Sequence, residues 1–184
     1  KFLRSAEDIM KVAMGHEILG KTDFFGMSEN FSLHTKRALD LLKLMELYKR
    51  PYTYSVFSSA DSLIKLGVEN IVKLGYTFIW IGLEESSGTT FDKMHGINLK
   101  QLIHDLQAHG VEVLGSTILG FEHQKIQDIQ REVSHAMNYN CVYNQFMLYM
   151  PTPGTQFYKR MEAANLIKSN FPHKDLHGQF RQNW

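Results

Sequence analysis

Cysteine is almost absent: Cys141 stands alone among 184 residues. One cysteine excludes an intrachain disulfide and a thiolate metal cluster built from this chain. A single free thiol is in keeping with a reducing compartment, and a cytoplasmic setting is expected. Excess charge of one sign is also missing. The formal net charge is +1, too neutral to point to nucleic acid or a membrane surface as partner. Long apolar runs are missing too: the longest, over 78–83, is far too short to span a bilayer. No signal-peptide core follows Lys1, and no low-complexity segment interrupts the chain. The polar end, 175–184, carries no cap or packing pattern, so a piece cut from a longer protein is expected.

What is present is an ordinary globular balance, 43% hydrophobic and 21% charged. A chain of this size buries roughly 70% of its unfolded surface, so one domain, or a large part of a bigger one, is affordable. Helical periodicity runs over 5–14, with Ser5 placed to cap and Asp8 at the third helical position. Further helices are expected over 33–48, 62–74 with a break at Gly67, 98–108, 124–137 and 155–164. Strands are expected over 22–25, 52–57, 77–83, 111–119 and 142–150. The run 77–83 is nearly continuous in apolar residues, as in strands buried on both faces. Strand starts recur about every thirty residues with a helix after each, the signature of βαβ units and a parallel sheet. An open α/β sheet and a barrel both satisfy right-handed crossovers. The long polar stretches after each strand favour a barrel or part of one, with its chemistry at the C-terminal strand ends.

The run Gly15-His16-Glu17-Ile18-Leu19-Gly20-Lys21-Thr22 fits the phosphate-loop pattern letter for letter. A phosphate loop needs a strand before it and a helix after it. Here the order is reversed, and a helix-ending glycine pair with a surface lysine is the better reading. The strand ends carry the other unusual residues. Three bring carboxylates: Glu29, Glu84 or Glu85, and Glu122. Converging carboxylates do acid–base work or bind a metal or an ammonium group, whereas separate loop glutamates are simply solvated or cap helices. Neighbouring side chains alternate along a strand, so of the adjacent pair Glu84 is the one taken to face the mouth. Gly82, Gly115 and Gly120 mark either backbone brought close to a ligand or tight turns. Nine histidines show no H-x-x-x-H spacing on a helix, which argues against a histidine metal site. Phe24, Phe25, Tyr54, Phe57, Phe78 and Trp80 lie in strands and read as core. Cys141, with no basic partner nearby, reads as structural.

Four strand-end motifs stand in register along the chain: Phe25-Gly26-Met27-Ser28-Glu29-Asn30-Phe31, Trp80-Ile81-Gly82-Leu83-Glu84-Glu85-Ser86, Gly115-Ser116-Thr117-Ile118-Leu119-Gly120, and Pro151-Thr152-Pro153-Gly154-Thr155 with Tyr158. Together with Phe91-Asp92-Lys93-Met94-His95-Gly96 and His177-Gly178-Gln179-Phe180, they make the chain resemble the radical S-adenosylmethionine enzymes. The branch in question often carries a cobalamin-binding domain ahead of the barrel.

The resemblance implies a partial TIM-like (βα) barrel. Residues 1–168 would supply its strands two to six, and 169–184 would begin a C-terminal extension. The first strand, and the three-cysteine loop that holds a [4Fe–4S] cluster, would precede Lys1. The isolated chain would then be inactive. Ser28, Glu29 and Asn30 fall where the family binds the methionine part of S-adenosylmethionine, in place of its usual Gly-Gly-Glu. Ser58, Ser59 and Glu84 fall at the ribose and amino-acid ends. The pattern G-x-I-x-G-x-x-E keeps Ile118 and Gly120, with Ser116 and His123 at its first and last places, and backs the adenine. Met150 would offer backbone contacts to the adenine.

The implied partners are this cofactor, a substrate that the sequence does not specify and, in the parent protein, cobalamin. The implied chemistry is 5′-deoxyadenosyl radical generation or cobalamin-assisted methyl transfer. A carboxylate-based or magnesium-dependent barrel hydrolase or lyase using Glu29, Glu84 and Glu122 is the rival enzyme class. A non-catalytic scaffold barrel is the rival without chemistry.

Overall fold

The structure, a computed structural model, describes residues 4–83, 98–179 and 181–184. Helix α1 (Ala6–Glu17) starts where the Asp8 amide donates to Ser5 Oγ at 3.1 Å, so the expected cap is in place. The helix outlasts its expected end and takes in Gly15. The Gly15–Thr22 stretch is therefore a helix end leading into strand β1 (Asp23–Gly26), the wrong order for a phosphate loop. A short 3-10 turn, Phe31–Leu33, precedes α2 (Thr35–Tyr48), which buries Ala38, Leu41, Leu42 and Met45 on one face.

Strand β2 (Thr53–Phe57) is followed by α3 (Ala60–Leu66) and α4 (Val68–Lys73), with the break at Gly67 as expected. Gly75 then turns the chain into β3 (Tyr76–Gly82) at φ +72; a Cβ there would lie 2.2 Å from the Tyr52 carbonyl oxygen. Only glycine combines that dihedral with that approach. Helix α5 (Leu99–Ala108), strand β4 (Glu112–Leu119), helix α6 (Ile126–Met137), strand β5 (Tyr143–Leu148) and helix α7 (Gln156–Ala163) complete the alternation.

The five strands form one parallel sheet in the order β1-β2-β3-β4-β5. Among the described residues the ladder ends at β1 on one side and β5 on the other. With every step to the adjacent strand and right-handed crossovers, the helices gather on one face. Tyr54, Val56, Ile79, Ile81 and Val113 point into that face and form one core with Leu41, Leu63, Ile71, Leu74, Ile103 and Leu106. At about 25 cal/mol per Å² of apolar surface removed from water, this layer dominates the favourable side of folding.

Strand β3 differs from expectation. Tyr76, Ile79 and Ile81 are buried, but Phe78 and Trp80 are half-buried and Gly82 is exposed, so helices cover one face of the strand and not both. No helix among the described residues is long and apolar enough to cross a membrane.

Candidate functional site

The loop after β1 and the loop after β2 meet through side chains. Asn30 Nδ2 donates to Ser59 Oγ at 2.7 Å and to Ser62 Oγ at 3.1 Å, while Ser58 Oγ donates to Asn30 Oδ1 at 3.1 Å. Ser59 Oγ donates onward to Ser62 Oγ at 2.9 Å. Three of the expected site residues, Asn30, Ser58 and Ser59, are thus joined in one network, and Ser62 is a member that the sequence reading missed. The amide of Asn30 has both hydrogens and its oxygen engaged, so this cluster fixes two strand-end loops to each other. Ser28 lines a groove of about 600 Å³ beside β1, with Ile9, Phe24, Phe31 and Arg37. Glu29 is exposed next to it.

On the other half of the sheet the register places Ser116 opposite Gly82 and Gln145, and Ile118 opposite Met147. Ser116 Oγ donates to Gln145 Oε1 at 3.4 Å, and the Ser116 carbonyl accepts the Leu83 amide at 2.7 Å. Ile118 is 43% exposed on the face away from the helices. Gly82 points the same way, with nothing within 4 Å of where a Cβ would stand. The glycines therefore separate. Gly82 is open to a ligand, whereas Gly115 is pressed by Leu83 and Cys141 from the helix side.

Gly120, at φ +78, lies against Gln182. Its amide donates to Gln124 Oε1 at 2.7 Å, and its carbonyl accepts from Gln182 Nε2 at 2.8 Å. The same Gln182 nitrogen donates to the Tyr149 carbonyl at 3.0 Å, which Trp184 Nε1 also reaches at 3.1 Å. Met150 follows directly, half-buried. The stretches 168–179 and 181–184 thus return across the ends of β4 and β5. They are anchored further by the Leu148 amide on the Gly178 carbonyl and by Asn183 Nδ2 on the Pro151 carbonyl. Nothing local in the sequence marks Gln182, which contacts a residue 62 positions earlier.

The sheet face without helices is aromatic. Phe25, Phe57, Phe78, Trp80 and Tyr143 run across it with ring centroids 4.5 to 6.0 Å apart. Phe25 is 45% and Tyr143 53% exposed. Of the strand aromatics read as core, Phe24 and Tyr54 do face the helices. Phe25, Phe57, Phe78 and Trp80 instead line the open face, because alternate residues of one strand must point in opposite directions.

The carboxylates do not assemble as a group among the described residues. Glu122 accepts Arg160 Nη2 at 2.6 Å, and Arg160 also lies over the Phe157 ring. Glu84, Glu85 and the stretch 91–96 lie outside the described residues. No cluster of three or more metal-ligating side chains occurs among those described. Cys141 is half-buried, and burial pushes its thiol up to about 11, against the ordinary 9.0. That is the environment of an inert packing cysteine.

Sheet order and strand-end polarity define an α/β protein built on a parallel five-stranded sheet. The same fold occurs in the structure of the radical S-adenosylmethionine methyltransferase TsrM from Kitasatospora setae with cobalamin and a [4Fe–4S] cluster bound. The TM-score is 0.66 at 11% identity, covering 79% of this chain and 31% of that one. It occurs again in TsrM with tryptophan substrate and an S-adenosylmethionine analogue bound, at a TM-score of 0.65 and 10% identity over 78% of this chain and 30% of that one. In sequence the chain is similar to an uncharacterized methyltransferase of Pyrococcus horikoshii, 22% identical over 163 residues, which is 86% of this chain and 36% of that protein. The chain therefore spans about a third of the length of the proteins it matches. No protein-family model matches it.

Proposed function

We propose that this chain is the cofactor-binding wall of a radical S-adenosylmethionine methyltransferase barrel, and that the cofactor lies on the open face at the C-terminal strand ends. The observation that carries the reading is a convergence. Asn30, Ser58, Ser59, Ser116, Ile118, Gly120 and Met150 all stand at that end of a sequentially ordered parallel sheet. Parallel α/β folds bind their ligands there. The likeness to TsrM and to a methyltransferase-named relative supports it.

The residues fit an S-adenosyl group in kind. Gly82 leaves space on the open face, Ser116 and Gln145 offer hydroxyl and amide groups, and Ile118 with Met147 gives an apolar wall for a planar base. Exposed Glu29 suits a positively charged ammonium or sulfonium. Such a cofactor supplies the methyl group; the chain's own part is to hold and orient it.

The iron–sulfur cluster does not fit these residues. Cys141 is a single thiol raised by burial and packed beside Gly115, whereas a cluster is held by several thiolates. In this reading the cluster ligands, and any cobalamin site, belong to other parts of a longer polypeptide, with 1–168 as strands two to six of the barrel and 169–184 as the start of its extension.

The test is to express the parent protein anaerobically and record iron content with ultraviolet–visible and EPR spectra. A [4Fe–4S] signal that changes on adding S-adenosylmethionine is expected. Iron-free protein that cannot be reconstituted would contradict the reading. The carboxylate hydrolase or lyase would then lead, although the Glu122–Arg160 pair leaves it one carboxylate short.

A further inference from the structure

Gly120 is held on both of its polar sides by glutamine side chains. Gln124 Oε1 accepts its amide at 2.7 Å and the Phe121 amide at 3.1 Å. Gln182 Nε2 donates one hydrogen to its carbonyl at 2.8 Å and the other to the Tyr149 carbonyl at 3.0 Å. A side chain at position 120 would collide with Gln182. The Tyr149 amide donates to the Leu119 carbonyl at 2.6 Å, so one small circuit joins the ends of β4 and β5 to the returning segment. Behind it, Phe121, Tyr149, Phe157 and Trp184 form a continuous ring contact that fixes the segment's approach.

We propose that Gln182, with Gln124, is a positioning residue: it sets the backbone of the Gly120 turn and of Met150, where the adenine of an S-adenosyl ligand is recognised. This rests on the reading under Proposed function. A bidentate amide is suited to the task. Its two donors lie in one plane and tie the Gly120 carbonyl to that of Tyr149, which Trp184 Nε1 also reaches. The chain's tail becomes part of the site without touching the ligand.

The test compares the parent protein, expressed anaerobically, with its Gln182→Ala and Gln182→Glu variants. The glutamate keeps the size and removes the donors, which guards against a variant that merely leaves a hole. Amide hydrogen exchange is read at Gly120, Phe121 and Tyr149, with Val56 in β2 as reference. Calorimetry then measures affinity for S-adenosylhomocysteine and for S-inosylhomocysteine, which lacks the exocyclic amine.

The expected result is faster exchange at the three amides alone. Affinity for the adenosyl ligand should fall about tenfold with little change for the inosyl ligand, because a loosened turn loses discrimination between the two bases. Unchanged exchange overturns the clamp whatever binds. Faster exchange with both affinities lowered alike overturns the positioning role in favour of general loosening. A wild-type parent protein that binds neither ligand contradicts the cofactor reading itself, and the positioning role falls with it.

Discussion

The two faces of the sheet are made of the same strands, yet one is largely aliphatic and buried and the other aromatic and half-exposed. On one face Val56, Ile79, Ile81 and Val113 are wholly buried under helices. On the other, Phe25, Phe57, Phe78, Trp80 and Tyr143 form a half-exposed aromatic layer. Polar residues, Ser55, Glu112, Ser116 and Gln145, are interspersed with the rings on that face. Exposed apolar layers of this kind mark interaction surfaces, and under the proposed function this one faces the cofactor.

That contrast can be broken by substitution. The largest effect is expected from Ile79→Ala, which opens a cavity under the helices and should cost about 3 kcal/mol. Phe25→Ala, on the open face, should stay within about 1 kcal/mol. Urea denaturation of both variants decides, and equal losses would mean that the faces are equally structural. Gly75→Ala comes next, at about 2 kcal/mol, since φ +72 and the Tyr52 carbonyl both oppose a Cβ; thermal unfolding measures it.

Asn30→Ala should cost about 1 kcal/mol by taking the acceptor from Ser58 Oγ and the donor from Ser59 and Ser62. It should also raise amide exchange in the two strand-end loops while leaving the helix side unchanged. The smallest effect belongs to Cys141. Its thiol is raised by burial, so its contribution to stability is fully present below 9.0 and is lost as pH rises from there through about 11. Alkylation of the native chain should accordingly remain slow until that window. Rapid reaction at neutral pH would show a reactive thiol.

Much of this was legible from residues in a row. The Ser5 cap, the break at Gly67 and the alternation of strand and helix depend on neighbours a few positions apart, and the structure keeps each of them. Asn30, Ser58 and Ser59 are named as site residues through the family resemblance; their mutual hydrogen bonding is not legible in the sequence. What the sequence hid depends on distance along the chain or on which face a strand residue takes. Gln182 meets Gly120 across 62 positions, and Gln145 meets Ser116 across 29. No local pattern encodes either. Phe78 and Ile79 are equally apolar; only the finished layer of helices tells them apart. Glu122 read as a candidate from its loop, but Arg160 on α7 claims it.

A chemical-shift map of the chain titrated with S-adenosylhomocysteine decides whether the cofactor lies at the C-terminal strand ends. Shifts are expected at residues 28–30, 58–59, 116–120 and 148–150, with α2 and α4 silent. No shifts, or shifts centred on α2 and α4, would contradict that placement.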